Sequence, residues 1–243
     1  RGTQVATEAS DVILLDDAFE SIVHAVRQGR VIYGNIRAFI RYLFSCNLSE
    51  ILVLGAATLA GLPLPLLPLQ ILFLNLVTDV FPALALGFGE GPRDVMRHAP
   101  RPRDAPLLGR RGWLGIGLNG VLIAVSVMGA FLIALERTTP AEANTVAFLT
   151  LAFAQLWFVF ALHPRSEPVW SSEITRNNHV WGAIVLSAAL ALGGVFVPGA
   201  GALLSLAPPA PEAWVTILVA SVLPLLAAEG IAAATAAFRG AAR

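Results

Sequence analysis

Two acidic side chains lie inside long apolar segments of the chain, each accompanied by neutral, oxygen-bearing residues at helical spacing. Asn47 and Glu50 are three residues apart, and Thr78 and Asp79 follow Asn75 by three and four residues. If both segments are helical, each group lies on one face of its helix. An Asp near the centre of a membrane helix costs about 2.5–3.5 kcal/mol, so acidic residues at that depth indicate function by default. The two groups therefore predict a polar site within an apolar bundle.

Pro82 follows the second group and is expected to interrupt its helix. It lacks a backbone N–H, and its ring clashes with the carbonyl four residues earlier, which is that of Thr78. The helix should kink or unwind there, and the Thr78 carbonyl should need another partner. Carbonyl, amide and carboxylate oxygens are hard donors that suit Ca²⁺, Mg²⁺, Mn²⁺, Na⁺ or K⁺ rather than Zn²⁺ or Cu⁺. Cation coordination is the favoured interpretation, and a structural hydrogen-bond network between helices is the alternative.

The other polar residues of the apolar segments carry less information. Gln155 could coordinate a cation through its amide oxygen or could only bond across helices, and both readings stay open. Glu229 is predicted to be an interfacial or helix-pairing residue, and Cys46 to pack as a small apolar residue. No two of the four histidines have metal-ligand spacing. Four hydroxyl groups are expected to bond back to their own helices, namely those of Ser126, Ser187, Thr216 and Ser221.

The composition indicates a membrane protein. Of 243 residues, 56% are hydrophobic and 13% are charged, whereas a soluble domain carries about 25% charged residues. The net charge of zero argues against nucleic acid as a partner. Six segments are long enough to cross a hydrocarbon core of about 30 Å, and they are residues 39–61, 69–88, 113–135, 144–162, 179–197 and 213–235. We therefore expect an all-α membrane protein, a six-helix bundle whose partner is the lipid bilayer.

Arginine residues predict the orientation of this bundle. They occur before the first span, in the connections at 89–112 and 163–178 and in the tail, but not in the connections at 62–68 and 198–212. By the positive-inside rule, the arginine-rich side is cytoplasmic. Six spans then place both termini in the cytoplasm. The expected location is the cell membrane, with a multi-pass topology.

Residues 1–35 are more polar and predict a small cytoplasmic stub. Residues 12–15 form an apolar run typical of a strand, and Asp17 with Glu20 resembles a capping box. Apolar residues then recur at helical spacing, at Phe19, Ile22, Val23 and Val26. The pattern predicts a single βα unit, which is too small to fold alone.

Several of these motifs together resemble a known family. Residues 2–23 are similar to the end of a Rossmann-like, HAD-type phosphorylation domain, and residues 29–37 to the stalk that follows it. Asn47 through Glu50, the run 75–79, Pro82-Ala83 and residues 85–87 resemble the fifth and sixth transmembrane helices of P-type cation-transporting ATPases. The likeness is closest to calcium pumps of the sarcoplasmic-reticulum type. It covers the whole chain and is densest up to about residue 110.

The resemblance implies a division of the chain and a set of cation ligands. Residues 1–35 would end the phosphorylation domain and stalk, and residues 36–243 would form transmembrane helices five to ten. Gln155 stands where those pumps carry an acidic residue, so a second site would have one negative charge fewer. Ca²⁺ is the cation most favoured, because sodium–potassium pumps usually have an acidic residue at the position of Asn75. The implied ligands are Asn47, Glu50, Asn75, Thr78 and Asp79, with Gln155 as a sixth candidate.

The catalytic motifs of such pumps are not in this sequence. It contains neither an Asp-Lys-Thr-Gly-Thr phosphorylation motif nor a Thr-Gly-Glu loop. We therefore expect a C-terminal part of a pump, inactive alone, with ATP and Mg²⁺ bound by upstream domains of the same protein. Two other classes remain open. One is a secondary cation transporter or channel that uses the same carboxylates, and the other is an accessory membrane protein without transport of its own.

Overall fold

The computed structural model describes residues 3–13, 18–92, 94–97, 99–102, 104–163 and 169–241, and every regular element in these ranges is helical. A π-helical segment, Asn75–Asp79, joins two of the helices, and 3₁₀ turns occupy Val159–Leu162 and Val169–Ser171. The α-helices are α1 (Gln4–Glu8), α2 (Phe19–Leu59), α3 (Pro68–Leu74), α4 (Val80–Gly87), α5 (Arg110–Arg137), α6 (Pro140–Phe158), α7 (Glu173–Arg176), α8 (Asn178–Phe196), α9 (Pro198–Leu204) and α10 (Ala213–Ala241).

Six helical segments in the described part of the chain are long and apolar enough to cross a membrane. They coincide within a few residues with the six predicted spans, except that the first continues far beyond its span toward the N-terminus. The prediction of an all-α, multi-pass membrane protein is therefore confirmed. The segments are Phe19–Leu59, Pro68–Gly87, Arg110–Arg137, Pro140–Leu162, Asn178–Phe196 and Ala213–Ala237.

The strand predicted near the N-terminus is not supported. Val12 and Ile13 lie in no regular element and are exposed, and no strand occurs among the residues that the structure describes. Residues 14–17 lie outside that part of the chain. A strand is stabilised by hydrogen bonds to neighbouring strands, and the described residues provide no neighbour. The Rossmann-like βα stub is therefore not supported by the residues that the structure describes.

The helical half of the N-terminal prediction is correct. α2 begins at Phe19 and runs without a break for 41 residues, a length of about 60 Å. Its N-cap is Ala18, whose side chain makes no capping hydrogen bond. The predicted capping box of Asp17 and Glu20 stays a prediction, because Asp17 lies outside the described residues. The segment that precedes the membrane and the first span are thus one continuous element.

α6 forms the centre of the bundle. In its membrane-crossing window 83% of the residues are buried, against 22–50% in the other five segments. α5, α8 and α10 pack around it, and Phe148, Leu149 and Leu151 are fully buried. Because lipid tails are as apolar as Leu, such packing depends on van der Waals contact and on polar contacts between helices. Most side chains of α6 are consequently shielded from lipid.

At one end of the bundle, α2 is fixed to the end of α4. Asn35 Nδ2 donates to the carbonyls of Gly87 at 3.1 Å and Gly89 at 2.8 Å. Glu173, at the start of α7, accepts from the Gly91 amide at 2.7 Å. A Cβ atom on Gly89 would lie 2.8 Å from Glu173 Oε1 and 3.1 Å from Asn35 Oδ1, so a larger residue here would displace these side chains. The two helices therefore hold a fixed position relative to each other here.

At the opposite end, two buried amide side chains join the connections to the helices. Gln70 Nε2 donates to Asn144 Oδ1 at 2.6 Å and to the Leu204 carbonyl at 2.9 Å, while Gln70 Oε1 accepts from the Leu67 amide at 2.9 Å. Asn144 Nδ2 donates at 3.1 and 2.9 Å to two carbonyls of the connection between α2 and α3. Both amides are therefore fully used, and they tie α3 and α6 to the ends of α2 and α9.

We expect Gln70→Leu to destabilise the protein by about 1–3 kcal/mol, because three buried partners lose their hydrogen bonds together. The measurement is the apparent unfolding temperature of the detergent-solubilised protein. Thr58→Ala is the control, since the Thr58 hydroxyl is exposed and bonds back to Leu54 of its own helix. Equal unfolding temperatures for the two variants would contradict the proposed role of this network.

Candidate cation site

The helix that carries Asn75, Thr78 and Asp79 is interrupted where Pro82 was expected to interrupt it. Residues Asn75–Asp79 form a π-helical segment between α3 and α4. π-Helical turns are rare, and they occur frequently at functional sites. The wider turn changes the direction in which these side chains point relative to a regular helix. Thr78 and Asp79 are both buried.

At the interruption, two backbone carbonyls each accept a hydrogen bond from a hydroxyl group of another helix. Tyr42 Oη donates to the Thr78 carbonyl at 2.6 Å, and Ser187 Oγ donates to the Val77 carbonyl at 2.6 Å. Tyr42 lies on α2 and Ser187 on α8, so partners come from two different helices. The need of the Thr78 carbonyl for a partner was foreseen, but neither partner was. Tyr42 has a sequence signal, because it lies one helical turn before Cys46 and two before Glu50, on the same face of α2.

The expectation that span hydroxyls bond to their own helices is correct for one serine and wrong for two. Ser221 Oγ donates to the Leu218 carbonyl of its own helix at 2.9 Å. Ser187 bonds across to Val77 instead, and Ser126 Oγ donates to the Ala220 carbonyl of α10 at 2.5 Å. For Thr216 the expectation stays a prediction. A carbonyl on a neighbouring helix competes for a hydroxyl wherever the helices pack closely, and sequence spacing does not reveal it.

Glu50 and Asp79 meet through Asn75. The amide atom of Asn75 that faces them lies 3.2 Å from both Glu50 oxygens and 3.2 Å from Asp79 Oδ2. With the amide nitrogen in that position, Asn75 donates to both carboxylates. A half-turn of the amide would place its oxygen there instead, and three oxygen-bearing side chains would then face one point, as cation binding requires.

Asn47 joins the site from α2. Its Nδ2 donates to Asp79 Oδ2 at 3.1 Å and to the Leu43 carbonyl at 2.9 Å. Unlike Glu50 and Asp79, which are each 4% exposed, Asn47 is an exposed residue. The site is therefore closed on the side of α6 and open on the side of Asn47.

Gln155 lies on the central helix α6 and is fully buried. Its Nε2 donates to Glu50 Oε1 at 3.0 Å, and its Oε1 accepts from Thr78 Oγ1 at 2.7 Å. Thr78 Oγ1 also lies 2.9 Å from the Leu74 carbonyl. Gln155 was expected either to coordinate a cation or to bond across helices, and in this structure it makes the bonds across helices. All six predicted site residues are thus connected by hydrogen bonds.

The two carboxylates have no positive partner in the described interior. Among the buried residues of that part of the chain, Glu50 and Asp79 are the only ionisable acids or bases with a formal charge at neutral pH. Asp79 Oδ1 is buried there without a hydrogen-bond partner. Burying a charge is costly unless it is paired or binds a metal. The arrangement therefore favours a bound cation that completes the charge balance.

The side chains at this candidate site offer donors of one chemical kind. They are carboxylate, amide and hydroxyl oxygens, which suit hard cations. Within the described ranges, no three side chains among His, Cys, Asp and Glu are grouped to hold a metal ion. Cys46 is buried, and Glu229 lies elsewhere, with its oxygens 3.3 and 3.4 Å from His163 Nε2. That contact joins α10 to the residue after the 3₁₀ turn that follows α6, in agreement with the predicted helix-pairing role.

A six-span bundle with a buried acidic cluster of oxygen donors is typical of membrane proteins that bind or transport cations. The family model for the C-terminus of cation-transporting ATPases matches residues 63–233, and the chain belongs to this family. A calcium-transporting ATPase of Bacillus subtilis is 40% identical over 94% of this chain and 26% of its own length. Calcium-transporting ATPase 1 of Bacillus cereus is 33% identical over 94% of this chain and 28% of its own length. An endoplasmic reticulum calcium ATPase of Aspergillus fumigatus is 50% identical over 46% of this chain and 11% of its own length. The chain thus spans about a quarter of the length of the two Bacillus relatives.

We expect Gln155→Glu to lower the unfolding temperature in a calcium chelator, because a donor 3.0 Å from Glu50 becomes a third carboxylate. Millimolar Ca²⁺ should restore stability by binding the additional charge. The measurement is thermal unfolding in detergent with chelator and with Ca²⁺. Asn119→Asp is the matched control, since Asn119 bonds to the Gly115 carbonyl of its own helix. If Ca²⁺ restored both variants equally, the placement of Gln155 beside a cation would be wrong.

Proposed function

We propose that this chain is the C-terminal membrane part of an ATP-driven calcium pump. It supplies cation ligands and the element that connects them to ATP hydrolysis. The observation that carries the proposal is the buried pair Glu50 and Asp79, joined by Asn75 and without a buried positive partner in the described chain. Ca²⁺ is supported by the oxygen donors and by the similarity to calcium-transporting ATPases.

The ligands divide between charged and neutral groups. Glu50 and Asp79 provide the negative charge that sets the affinity. Asn47, Asn75 and Thr78 provide neutral oxygens once their amides turn and their hydroxyls reorient. Gln155 holds Glu50 and Thr78 in place through hydrogen bonds on both sides and adds no charge. A Gln in place of a third acid favours a site of lower total charge, and hence one strongly occupied Ca²⁺ position.

The exposure of Asn47 supports a site completed by other helices of the same protein. An amide exposed at membrane depth would otherwise face lipid, where a polar group without a partner is costly. Phe44, Ile51 and Trp113 surround Asn47 on this open side and provide an apolar surface for packing. The missing partners would be the upstream domains of the pump, which also bind ATP and Mg²⁺.

α2 is the element that would connect hydrolysis to the site. It carries Asn47 and Glu50 at one end and continues unbroken to Phe19. Through Asn35 it is also fixed to the end of α4, the helix that follows Asp79. A displacement of the stalk would therefore reach both ligand-bearing helices. In this proposal residues 1–35 belong to the end of the phosphorylation domain and the stalk, and residues 36–243 form the transmembrane domain. Both termini lie in the cytoplasm, and the pump lies in the cell membrane.

The test uses the full-length protein expressed from its gene and reconstituted in vesicles. We expect ATP-dependent uptake of radioactive Ca²⁺ and ATP hydrolysis that depends on Ca²⁺. Glu50→Gln and Asp79→Asn should each weaken the apparent Ca²⁺ affinity by about tenfold or more, because affinity depends on the number of charged ligands. Glu229→Gln is the matched control, since Glu229 contacts His163 and not the site.

Three results would contradict the proposal. Ca²⁺ uptake that is independent of ATP would favour a secondary transporter or channel. No effect of cations on transport or stability would favour an accessory membrane protein. Unchanged Ca²⁺ affinity in both site variants would exclude these carboxylates as ligands, even if the protein pumps calcium.

A further inference from the structure

Pro82 has no backbone N–H, so its helix lacks a donor at this position in both the α-helical and the π-helical hydrogen-bonding pattern. It lies four residues after Thr78 and five after Val77, so Thr78 loses its α-helical partner and Val77 its π-helical partner. Hydroxyl groups occupy both positions. Tyr42 bonds to Thr78, and Ser187 bonds to Val77, each at 2.6 Å. Tyr42 belongs to the ligand-bearing helix α2, whereas Ser187 comes from α8, which contributes no side chain to the candidate cation site.

We infer that Ser187 is a positioning residue that holds the π-helical segment in the conformation in which Asp79 faces Glu50. Its hydroxyl is fully buried, and it acts through the Val77 carbonyl, two residues before Asp79. An irregular backbone conformation persists only where its surroundings enforce it. α8 packs directly on the segment and supplies the donor that the backbone cannot.

Ser221 shows that a buried serine in this bundle does not need a partner on another helix. It is also fully buried, and its hydroxyl is satisfied by Leu218 of its own helix, the usual solution for serine in a helix. Ser187 makes its bond across helices, to a carbonyl next to the proline-induced break. This difference assigns Ser187 to the support of the ligand segment rather than to its own helix.

The first experiment measures the backbone and needs no bound cation. Amide hydrogen exchange of residues 77–81 is followed in the full-length protein in a calcium chelator. In Ser187→Ala we expect exchange about three- to tenfold faster, because the loss of one hydrogen bond lowers the free energy of local opening. Ser187→Thr keeps the hydroxyl and should stay near the original rate, as should the control Ser221→Ala. Unchanged exchange in Ser187→Ala would overturn the inference.

The second experiment measures Ca²⁺ binding by the same variants, and this part rests on the proposed function. Ser187→Ala should weaken Ca²⁺ binding about three- to tenfold, because the ligand segment is less preorganised. Pro82→Ala supplies an N–H that the Val77 carbonyl can accept, so in that background Ser187→Ala should change the affinity by less than about twofold. An equal loss of affinity in both backgrounds would overturn the positioning role through Val77.

The two experiments separate the two claims. If the unsubstituted protein binds no Ca²⁺ and Ser187→Ala still accelerates exchange of residues 77–81 selectively, the proposed function fails and the positioning of the segment stands. If the protein binds Ca²⁺ and Ser187→Ala leaves both exchange and affinity unchanged, the proposed function stands and the inference about Ser187 fails.

Discussion

The electrostatic constraint on this bundle is the presence of two carboxylates at membrane depth without a buried positive side chain in the described chain. Placing an acidic residue there costs several kcal/mol, while each hydrogen bond to a charged group returns about 1.5–3 kcal/mol. The amides of Asn47, Asn75 and Gln155 supply such bonds. They lower the cost of burying the two carboxylates but leave the net charge of the group unchanged. In the proposed function, a cation would bind to a site that is already assembled and still lacks positive charge.

This constraint also explains the architecture around the site. Gln155 can bond to Glu50 only because α6 lies at the centre of the bundle, where its middle is shielded from lipid. Two side chains of α2 hold it against the segment Asn75–Asp79, because Tyr42 and Asn47 both donate hydrogen bonds to that segment. The backbone irregularity caused by Pro82 is tolerated because hydroxyl groups replace the missing donor. The break in the helix and the packing of its neighbours thus depend on each other.

Much of this could be predicted from the sequence, because some of the physics is local. Hydropathy over about 20 residues located the six spans, and spacing of three and four residues placed Asn47 with Glu50 and Asn75 with Asp79. The chemistry of Pro82 predicted the break near Thr78. Contacts between distant segments could not be predicted in this way. The roles of Tyr42 and Ser187, and the bonds made by Gln155, depend on which helices pack together, and a period of 3.6 residues does not contain that information.

The prediction of an N-terminal strand is not supported, for a related reason. An apolar run of four residues is compatible with a strand only if a sheet is present to receive it, and the described chain contains none. The helix that follows was predicted correctly, since its hydrogen bonds are internal and its apolar spacing is sufficient evidence. Elements that satisfy their own backbone are therefore read reliably from one sequence, and elements that need partners are not.

The uninterrupted length of α2 gives the molecule the geometry of a lever. Asn35, where α2 is bonded to the end of α4, lies 16 residues from Phe19 and 12 residues from Asn47, or about 24 Å and 18 Å at 1.5 Å per residue. A rigid rod with its fulcrum at Asn35 would carry a displacement at Phe19 to Asn47 in the opposite direction, at about three-quarters of its size. A tilt of about 3° would move Asn47 by roughly 1 Å. Cation–oxygen distances in calcium sites vary over only about 0.3 Å, so in the proposed site a tilt that small would take Asn47 out of coordination range.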